Sequence, residues 1–198
     1  METIQEKYAR LRPQITNGCI INVKGHSLLT RIIAWATGYY THSLVAVQEG
    51  DRIKIKQPML AVQSVADGVC PAFLSTEIFA NDDFCIMRPK ADQAHIDDCV
   101  DAYLAKTEKG VPYNFWELPK LLLKIKLRIN IKNVQGNPND AICSVSAGYI
   151  FGGLIPIKCY VDAYNKNGYL TPQNLRDIAK ANPDQLETIG DDSATINP

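Results

Sequence analysis

The sequence predicts an α+β fold in which helices pack on an antiparallel β-sheet. Short apolar runs bounded by glycine, asparagine and aspartate are typical of strands, and the links between them are too short for crossover helices. Longer segments with apolar residues at helical spacing flank these runs. With 198 residues, of which 46% are hydrophobic, the chain is long enough to bury a substantial core. We therefore expect a single domain over residues 1–198.

The first half of the chain supplies the predicted strands. In chain order, we expect a helix over 2–12 that Pro13 ends, a strand over 18–23, a helix over 28–36 capped by Ser27 and ended by Gly38, and strands over 43–47, 52–56, 59–65 and 84–88. Because short links join neighbouring strands, these strands should form an antiparallel meander.

The second half is predicted to be mainly helical. We expect an amphipathic helix over 95–109, a helical segment over 115–127, a loop over 130–140, a helix from the Asp140 cap to about Phe151, and a helix from Thr171-Pro172 to about Asn182. The residues from 188 to 198 are mostly polar, which is typical of a mobile tail.

Charge and terminal composition exclude several classes of function. The chain has 21 basic and 21 acidic residues, so it lacks the positive field that holds nucleic acid. The opening residues Met1 to Lys7 lack the apolar core of a signal peptide, and no apolar stretch is long enough to span a bilayer. We therefore expect a cytoplasmic protein without a nucleic-acid partner or stable membrane insertion. The sequence does not indicate an oligomeric state.

The six cysteines show no close Cys-x-x-Cys pairing of the kind that binds zinc. In a cytoplasmic protein they should be reduced thiols, most of them buried as small hydrophobic residues. We expect neither a metal nor an organic cofactor.

Cys143 is the cysteine whose position in the sequence favours a reactive thiol, because it lies where a predicted helix begins after Asp140. A helix N-terminus lowers the pKa of a thiol through its dipole, and its N–H groups can stabilise an oxyanion. Ser144 follows directly and is assigned to substrate binding. The alternative is that Cys143 is one more buried thiol.

His42 is the candidate base, since it alone among the three histidines leads directly into a buried strand. The alternative to a catalytic role is that His42 is a structural histidine at a strand edge, with its hydrogen-bonding groups already paired. Gln63, polar in an otherwise apolar strand, either orients the His42 ring or faces outward. Tyr39 and Tyr40 either bind substrate beside the histidine, for example as oxyanion donors, or pack in the core.

Several short motifs, in their order along the chain, resemble the circularly permuted NlpC-type papain-like hydrolases of the YiiX-like group. These are Gly18-Cys19-Ile20-Ile21, Thr41-His42-Ser43-Leu44-Val45, Val62-Gln63-Ser64, Gly110-Val111-Pro112-Tyr113, Ile142-Cys143-Ser144 and Leu170-Thr171-Pro172. The resemblance extends from about residue 17 to about residue 178.

The resemblance implies a permuted papain-like fold in which Cys143 is the nucleophile and His42 the base. Gln63 matches a third polar position where we expect an acidic residue in many relatives. The implied activity is that of a thiol hydrolase or acyltransferase that cleaves an amide or ester bond, in a peptidoglycan-type peptide or a lipid acyl substrate. The alternative is a catalytically inactive binding or structural protein that retains the fold.

Overall fold

The computed structural model describes residues 2–48, 59–65, 68–107 and 170–191. The helices of this part of the chain are α1 (Ile4–Leu11), α2 (Leu28–Thr37), α3 (Leu74–Phe79), α4 (Gln93–Thr107) and α5 (Pro172–Ala181). Its strands are β1 (Ile20–Lys24), β2 (His42–Gln48), β3 (Met59–Val65), β4 (Gly68–Phe73), β5 (Asp83–Pro89) and β6 (Leu186–Ile189). None of the helices in these ranges is long and apolar enough to cross a bilayer.

The strands form one antiparallel sheet in the order β4-β3-β2-β1-β5-β6. β1 lies near its centre, with Ile21 opposite Leu44 of β2 on one side and opposite Ile86 of β5 on the other. This arrangement of helices and antiparallel strands confirms the predicted α+β class.

The predicted meander holds for β1 to β4 but not for β5. Successive antiparallel pairs make β4 and β5 run in the same direction, and strands that share a direction need a crossover connection. The crossover contains α3, whose Leu74 and Ile78 are fully buried against the sheet. The prediction that short links exclude a crossover was therefore wrong here, because a helix of six residues is enough to bring β5 beside β1.

Helices cover both faces of the sheet. We call them the α1–α3 face and the α4–α5 face, and strand alternation assigns the sheet residues between them. The α1–α3 face buries Leu11, Ile15, Ile21, Leu44, Ala46, Ala61, Leu74, Ile78, Phe84 and Ile86. The α4–α5 face buries Ile20, Val45, Val62, Met87, Ile96, Val100, Leu175, Ile178 and Leu186.

The predicted elements agree with the structure most closely where capping signals are explicit. Ser27 caps α2, and Thr171 forms a capping box with Asn174 at α5. Strand β4 and helix α3 were not predicted. The predicted elements 52–56, 115–127, 130–140 and 140–151 lie outside the described residues.

The predicted mobile tail begins too early. Residues 186–189 form β6, which pairs with β5, and Leu186 and Ile189 are buried. The prediction is therefore wrong for Thr188 and Ile189, because the partner strand of this segment lies about a hundred positions earlier in the chain, beyond the reach of a local pattern. Residues 192–198 are outside the described part of the chain.

A buried asparagine joins the start of α5 to the sheet through hydrogen bonds. The Asn22 amide nitrogen donates to the carbonyl of Pro172 at 2.6 Å, and the Asn22 carbonyl oxygen accepts from the Ser43 hydroxyl at 2.7 Å. Asn22 and Ser43 are both almost completely buried, so water cannot replace these bonds.

Replacing Asn22 with alanine is expected to lower the free energy of unfolding by about 2 kcal/mol, because it leaves a buried hydroxyl and a buried carbonyl unpartnered. Urea denaturation measures the change. Asn81→Ala is the matched control, since the Asn81 amide donates only to Glu77 within one helical turn and is partly exposed. If Asn22→Ala lowered the free energy of unfolding no more than Asn81→Ala does, the Asn22 hydrogen bonds would not be what holds the start of α5 on the sheet.

Candidate active site

His42 is placed by the turn that joins α2 to β2. Gly38 ends α2 with φ +115°, a left-handed conformation that favours glycine, and a Cβ atom at that position would lie 2.8 Å from the Gln173 side chain. The Thr41 amide then donates to the Val23 carbonyl at 2.9 Å, and the Thr41 hydroxyl oxygen accepts from the Gly25 amide at 3.0 Å. The backbone is therefore held on β1 immediately before the histidine.

The His42 ring contacts Gln63 on the adjacent strand. His42 Nε2 and Gln63 Oε1 are 2.9 Å apart, His42 is half-buried, and Gln63 is 6% exposed. Strand alternation explains the contact, because His42 lies on the same face as Leu44 and Gln63 on the same face as Ala61, which is the α1–α3 face. The Gln63 side chain therefore does not face outward but contacts the imidazole, and its orienting role stays a prediction.

This hydrogen bond selects a tautomer of the imidazole. The carbonyl oxygen of Gln63 only accepts hydrogen bonds, so Nε2 of His42 carries the hydrogen that it donates. In the neutral ring the other nitrogen, Nδ1, then holds the basic lone pair. The arrangement can therefore present a base at Nδ1 while Gln63 holds the opposite edge of the ring.

A thiol that the sequence did not single out lies beside this pair. Cys70 of β4 is directly opposite Gln63 of β3, so both side chains lie on the same face of the sheet, and Cys70 is partly exposed. Only a pattern that identified β4 as a strand would have placed Cys70 there. Pro71 lies in β4, and proline weakens a strand prediction.

The two tyrosines before His42 direct their hydroxyl groups to carboxylates. The Tyr39 hydroxyl donates to Asp83 at 3.0 Å, and the Tyr40 hydroxyl donates to Asp191 at 3.0 Å. Tyr40 is completely buried, and its ring packs edge-on against that of Tyr39 with 5.0 Å between the centroids. Tyr40 therefore belongs to the core, and the role of either tyrosine in substrate binding stays a prediction.

The cysteines of the described ranges are free thiols, and burial makes several of them poor nucleophiles. Cys19 and Cys85 are inaccessible to solvent, and desolvation raises the pKa of the Cys85 thiol to about 12 and also raises the pKa of Cys19. Desolvation raises the pKa of Cys99 as well. Cys143 and Ser144, the predicted nucleophile and its neighbour, lie outside the described residues.

Comparison with known proteins supplies evidence on the fold. No family model matches the chain, and no curated protein matches it by sequence. Among solved structures, the chain is similar to the metalloprotein YiiX from Escherichia coli O157:H7, with a TM-score of 0.57. The match covers 89% of this chain and 97% of YiiX at 15% sequence identity. The chain therefore has the YiiX fold, as the order of the sequence motifs predicted.

Proposed function

We propose that this protein is a thiol hydrolase or acyltransferase in which Cys143 is the nucleophile, His42 the general base and Gln63 the residue that orients His42. The observation that carries the proposal is the 2.9 Å contact between His42 Nε2 and Gln63 Oε1. It supplies two of the three groups of a nucleophile–base–orienting constellation. The YiiX fold supports the proposal, since the resemblance that predicted this fold also implies the hydrolase activity.

In the proposed reaction, Nδ1 of His42 takes the thiol proton, and the Cys143 thiolate attacks the carbonyl carbon of an amide or ester. The tetrahedral intermediate collapses as His42 returns the proton to the leaving nitrogen or oxygen, which leaves an acyl group on the sulfur. Water or another acceptor then attacks the thioester, giving up its proton through His42, and the thiol is regenerated. An amide at position 63 holds the ring but stabilises imidazolium less than a carboxylate would.

The proposed substrates are a peptidoglycan-type peptide or a lipid acyl group. Both offer a carbonyl that a thiolate attacks, and both follow from the resemblance to the permuted hydrolases.

A metal-dependent reaction is a separate question, because YiiX is described as a metalloprotein. Within residues 2–48, 59–65, 68–107 and 170–191, no three or more His, Cys, Asp or Glu side chains lie together as metal ligands would. Asp83 and Asp191, carboxylates close to the turn before His42, are each paired with a lysine or arginine. We derive the reaction from Cys143, His42 and Gln63, the residues that match the resemblance.

The experiment that tests the proposal is a pH titration with iodoacetamide, followed by mass spectrometry to locate the labelled cysteine. The catalytic assignment predicts selective labelling of Cys143 below neutral pH, because only an activated thiol is ionised there. Cys19 and Cys85 serve as internal controls, since they are buried in the native protein. Slow, uniform labelling of all accessible thiols would instead favour the inactive binding or structural protein, which the neutral amide at position 63 leaves as the second candidate.

Substitutions at Gln63 test the orienting role separately. Gln63→Ala removes the hydrogen bond to the His42 ring and is expected to slow Cys143 labelling about threefold near pH 6, as a misplaced base would. Gln63→Glu keeps an acceptor and adds a negative charge, so it should raise the pKa of His42 above the wild-type value and increase labelling at low pH. Gln48→Ala is the control, because Gln48 is exposed at the opposite end of β2. Equal rates in all three variants would contradict the assignment of Gln63.

A further inference from the structure

The hydroxyl groups of both tyrosines before His42 donate hydrogen bonds to carboxylates, and each carboxylate also pairs with a basic side chain. Tyr40 reaches Asp191, which follows β6 near the end of the described chain, whereas Tyr39 reaches Asp83, the first residue of β5. We call these two tyrosine–carboxylate contacts the Tyr40 anchor and the Tyr39 anchor. They come from different parts of the fold. They meet at the segment that carries His42.

The Tyr40 anchor is almost completely buried. The Asp191 side chain is 5% exposed and lies 2.8 Å from Arg176 Nη2, with Lys180 as a second cationic partner. Arg176 and Lys180 both belong to α5, so the carboxylate joins this helix to the end of β6. The Tyr40 hydroxyl also lies beside the buried Cys85 thiol.

The Tyr39 anchor has the same chemical form. The Asp83 carboxylate accepts from the Tyr39 hydroxyl through Oδ2 and from Lys7 through Oδ1, and the Lys7 side chain is only 5% exposed. The ammonium group of Lys24 lies 4.6 Å from the centre of the Tyr39 ring, within the range of a cation–π interaction. Lys7 belongs to α1, so this anchor joins the segment to a helix on the opposite side of the sheet from α5.

The two tyrosines are adjacent, and His42 lies two positions after Tyr40. Thr41, the intervening residue, is fixed to β1 through the backbone carbonyl of Val23 and the amide of Gly25. The histidine is thus preceded by three consecutive residues whose polar side-chain atoms are all hydrogen-bonded. Ring packing alone would not require either tyrosine to have a hydroxyl group, since phenylalanine has nearly the same apolar shape.

We infer that Tyr39 and Tyr40 are positioning residues, whose hydroxyl groups hold the backbone at His42 so that its ring keeps the Gln63 contact and presents Nδ1. The inference rests on the proposed function, and it assigns to the tyrosines a role other than direct contact with substrate. It also connects α5 and β6 to the site, because Asp191 transmits the position of these elements through Tyr40. A displacement of about 1 Å at a catalytic group is enough to lower a rate by roughly a hundredfold.

The test compares Tyr40→Phe, Tyr39→Phe and the double variant with a matched control, Tyr8→Phe. Each substitution removes one hydroxyl and keeps the ring. Tyr8 is a suitable control because its ring packs edge-on against Phe79 and its hydroxyl contacts Arg12 rather than the segment before His42. Two readouts are taken below the unfolding temperature of every variant: the nitrogen NMR signals of the His42 ring, and the rate at which iodoacetamide labels Cys143 near pH 6.

The wild-type ring should show one predominant tautomer with hydrogen on Nε2. In Tyr40→Phe and Tyr39→Phe we expect signals averaged between tautomers, as in Gln63→Ala, and labelling of Cys143 slowed about threefold, with the double variant approaching the loss of about tenfold expected when His42 is removed. The control should keep the wild-type values. Variants that lose thermal stability but keep the wild-type tautomer and labelling rate would overturn the inference and leave the tyrosines a packing role.

The two readouts separate this inference from the proposed function. If wild-type Cys143 proves unreactive, the catalytic assignment fails, whereas the tautomer of His42 still reports whether the tyrosines position the ring. If Tyr40→Phe does not fold, Tyr39→Phe supplies the same comparison, because its hydroxyl is bonded in a more exposed place. An unchanged tautomer in Tyr39→Phe would then count against the inference.

Discussion

Alanine in place of His42 is expected to slow iodoacetamide labelling of Cys143 about tenfold near pH 6. A thiol with an ordinary pKa of about 8.5 is roughly 0.3% ionised at that pH, whereas one activated to a pKa of about 5 is mostly thiolate. This gain of about 300-fold is partly offset because a less basic thiolate is also a weaker nucleophile, by roughly 30-fold over the same range. The net factor of about ten is the contribution that His42 makes to reactivity in this assay.

The effect of the same substitution on turnover should be larger, since His42 also returns the proton to the leaving group. General acid–base catalysis contributes about 10²- to 10⁴-fold to a rate. A panel of peptide and acyl ester substrates would measure this loss once one of them is cleaved by the wild-type protein. Position 42 is therefore expected to be the most sensitive position among the described residues.

His95→Ala is the matched control for this experiment. His95 is exposed in the first turn of α4, so its removal should leave the labelling of Cys143 unchanged. Equal labelling rates at Cys143 in wild type and His42→Ala would show that the two residues do not form a catalytic pair. The protein would then be better described as a binding protein with the YiiX fold.

Alanine in place of Phe84 is expected to give the largest loss of stability, about 3–5 kcal/mol in the free energy of unfolding. Phe84 is completely buried on the α1–α3 face, where its ring packs at an angle against that of Tyr8, 6.4 Å between centroids. The Lys7 ammonium group lies 5.2 Å from the same ring centre. Truncation therefore creates a cavity and also removes a neighbour of the lysine that holds Asp83.

Phe79→Ala is the control for this prediction, because Phe79 also packs against Tyr8, with 5.3 Å between the ring centroids, but is 42% exposed. We expect it to cost less than about 1.5 kcal/mol, since much of its surface is already in water. Urea or thermal denaturation measures both variants under one condition. Similar losses at the two positions would mean that burial at Phe84 does not determine the stability of this face.

Local sequence signals were sufficient for most of the helices and strands near the site. Ser27 and Gly38 delimit α2, Thr171 and Pro172 start α5, and the apolar run after His42 forms β2. These signals act within a few residues of one another, which is why a pattern in the sequence can detect them. The polar side chain of Gln63 in an apolar strand was likewise visible, as was the unusual position of His42.

Long-range pairing was not visible in the same way. Strand β6 pairs with β5 across about a hundred residues. Strand β4 was not predicted because it contains Pro71, and α3 was not predicted because it is only six residues long. Tyr40 was considered as an oxyanion donor because it adjoins His42 in sequence. Its hydroxyl instead meets Asp191, 151 positions away.

The sequence by itself determined the fold class, and it indicated Cys143 and His42 as a candidate pair and Gln63 as a third polar position through residue chemistry, local spacing and the resemblance to the permuted hydrolases. The tertiary structure decided that Gln63 touches His42 and where the tyrosines direct their hydroxyl groups. The physical reason is that these contacts depend on strand register and on the packing of α1 and α5 around the sheet. Register and packing are set by burial over the whole chain, and no short stretch of sequence contains them.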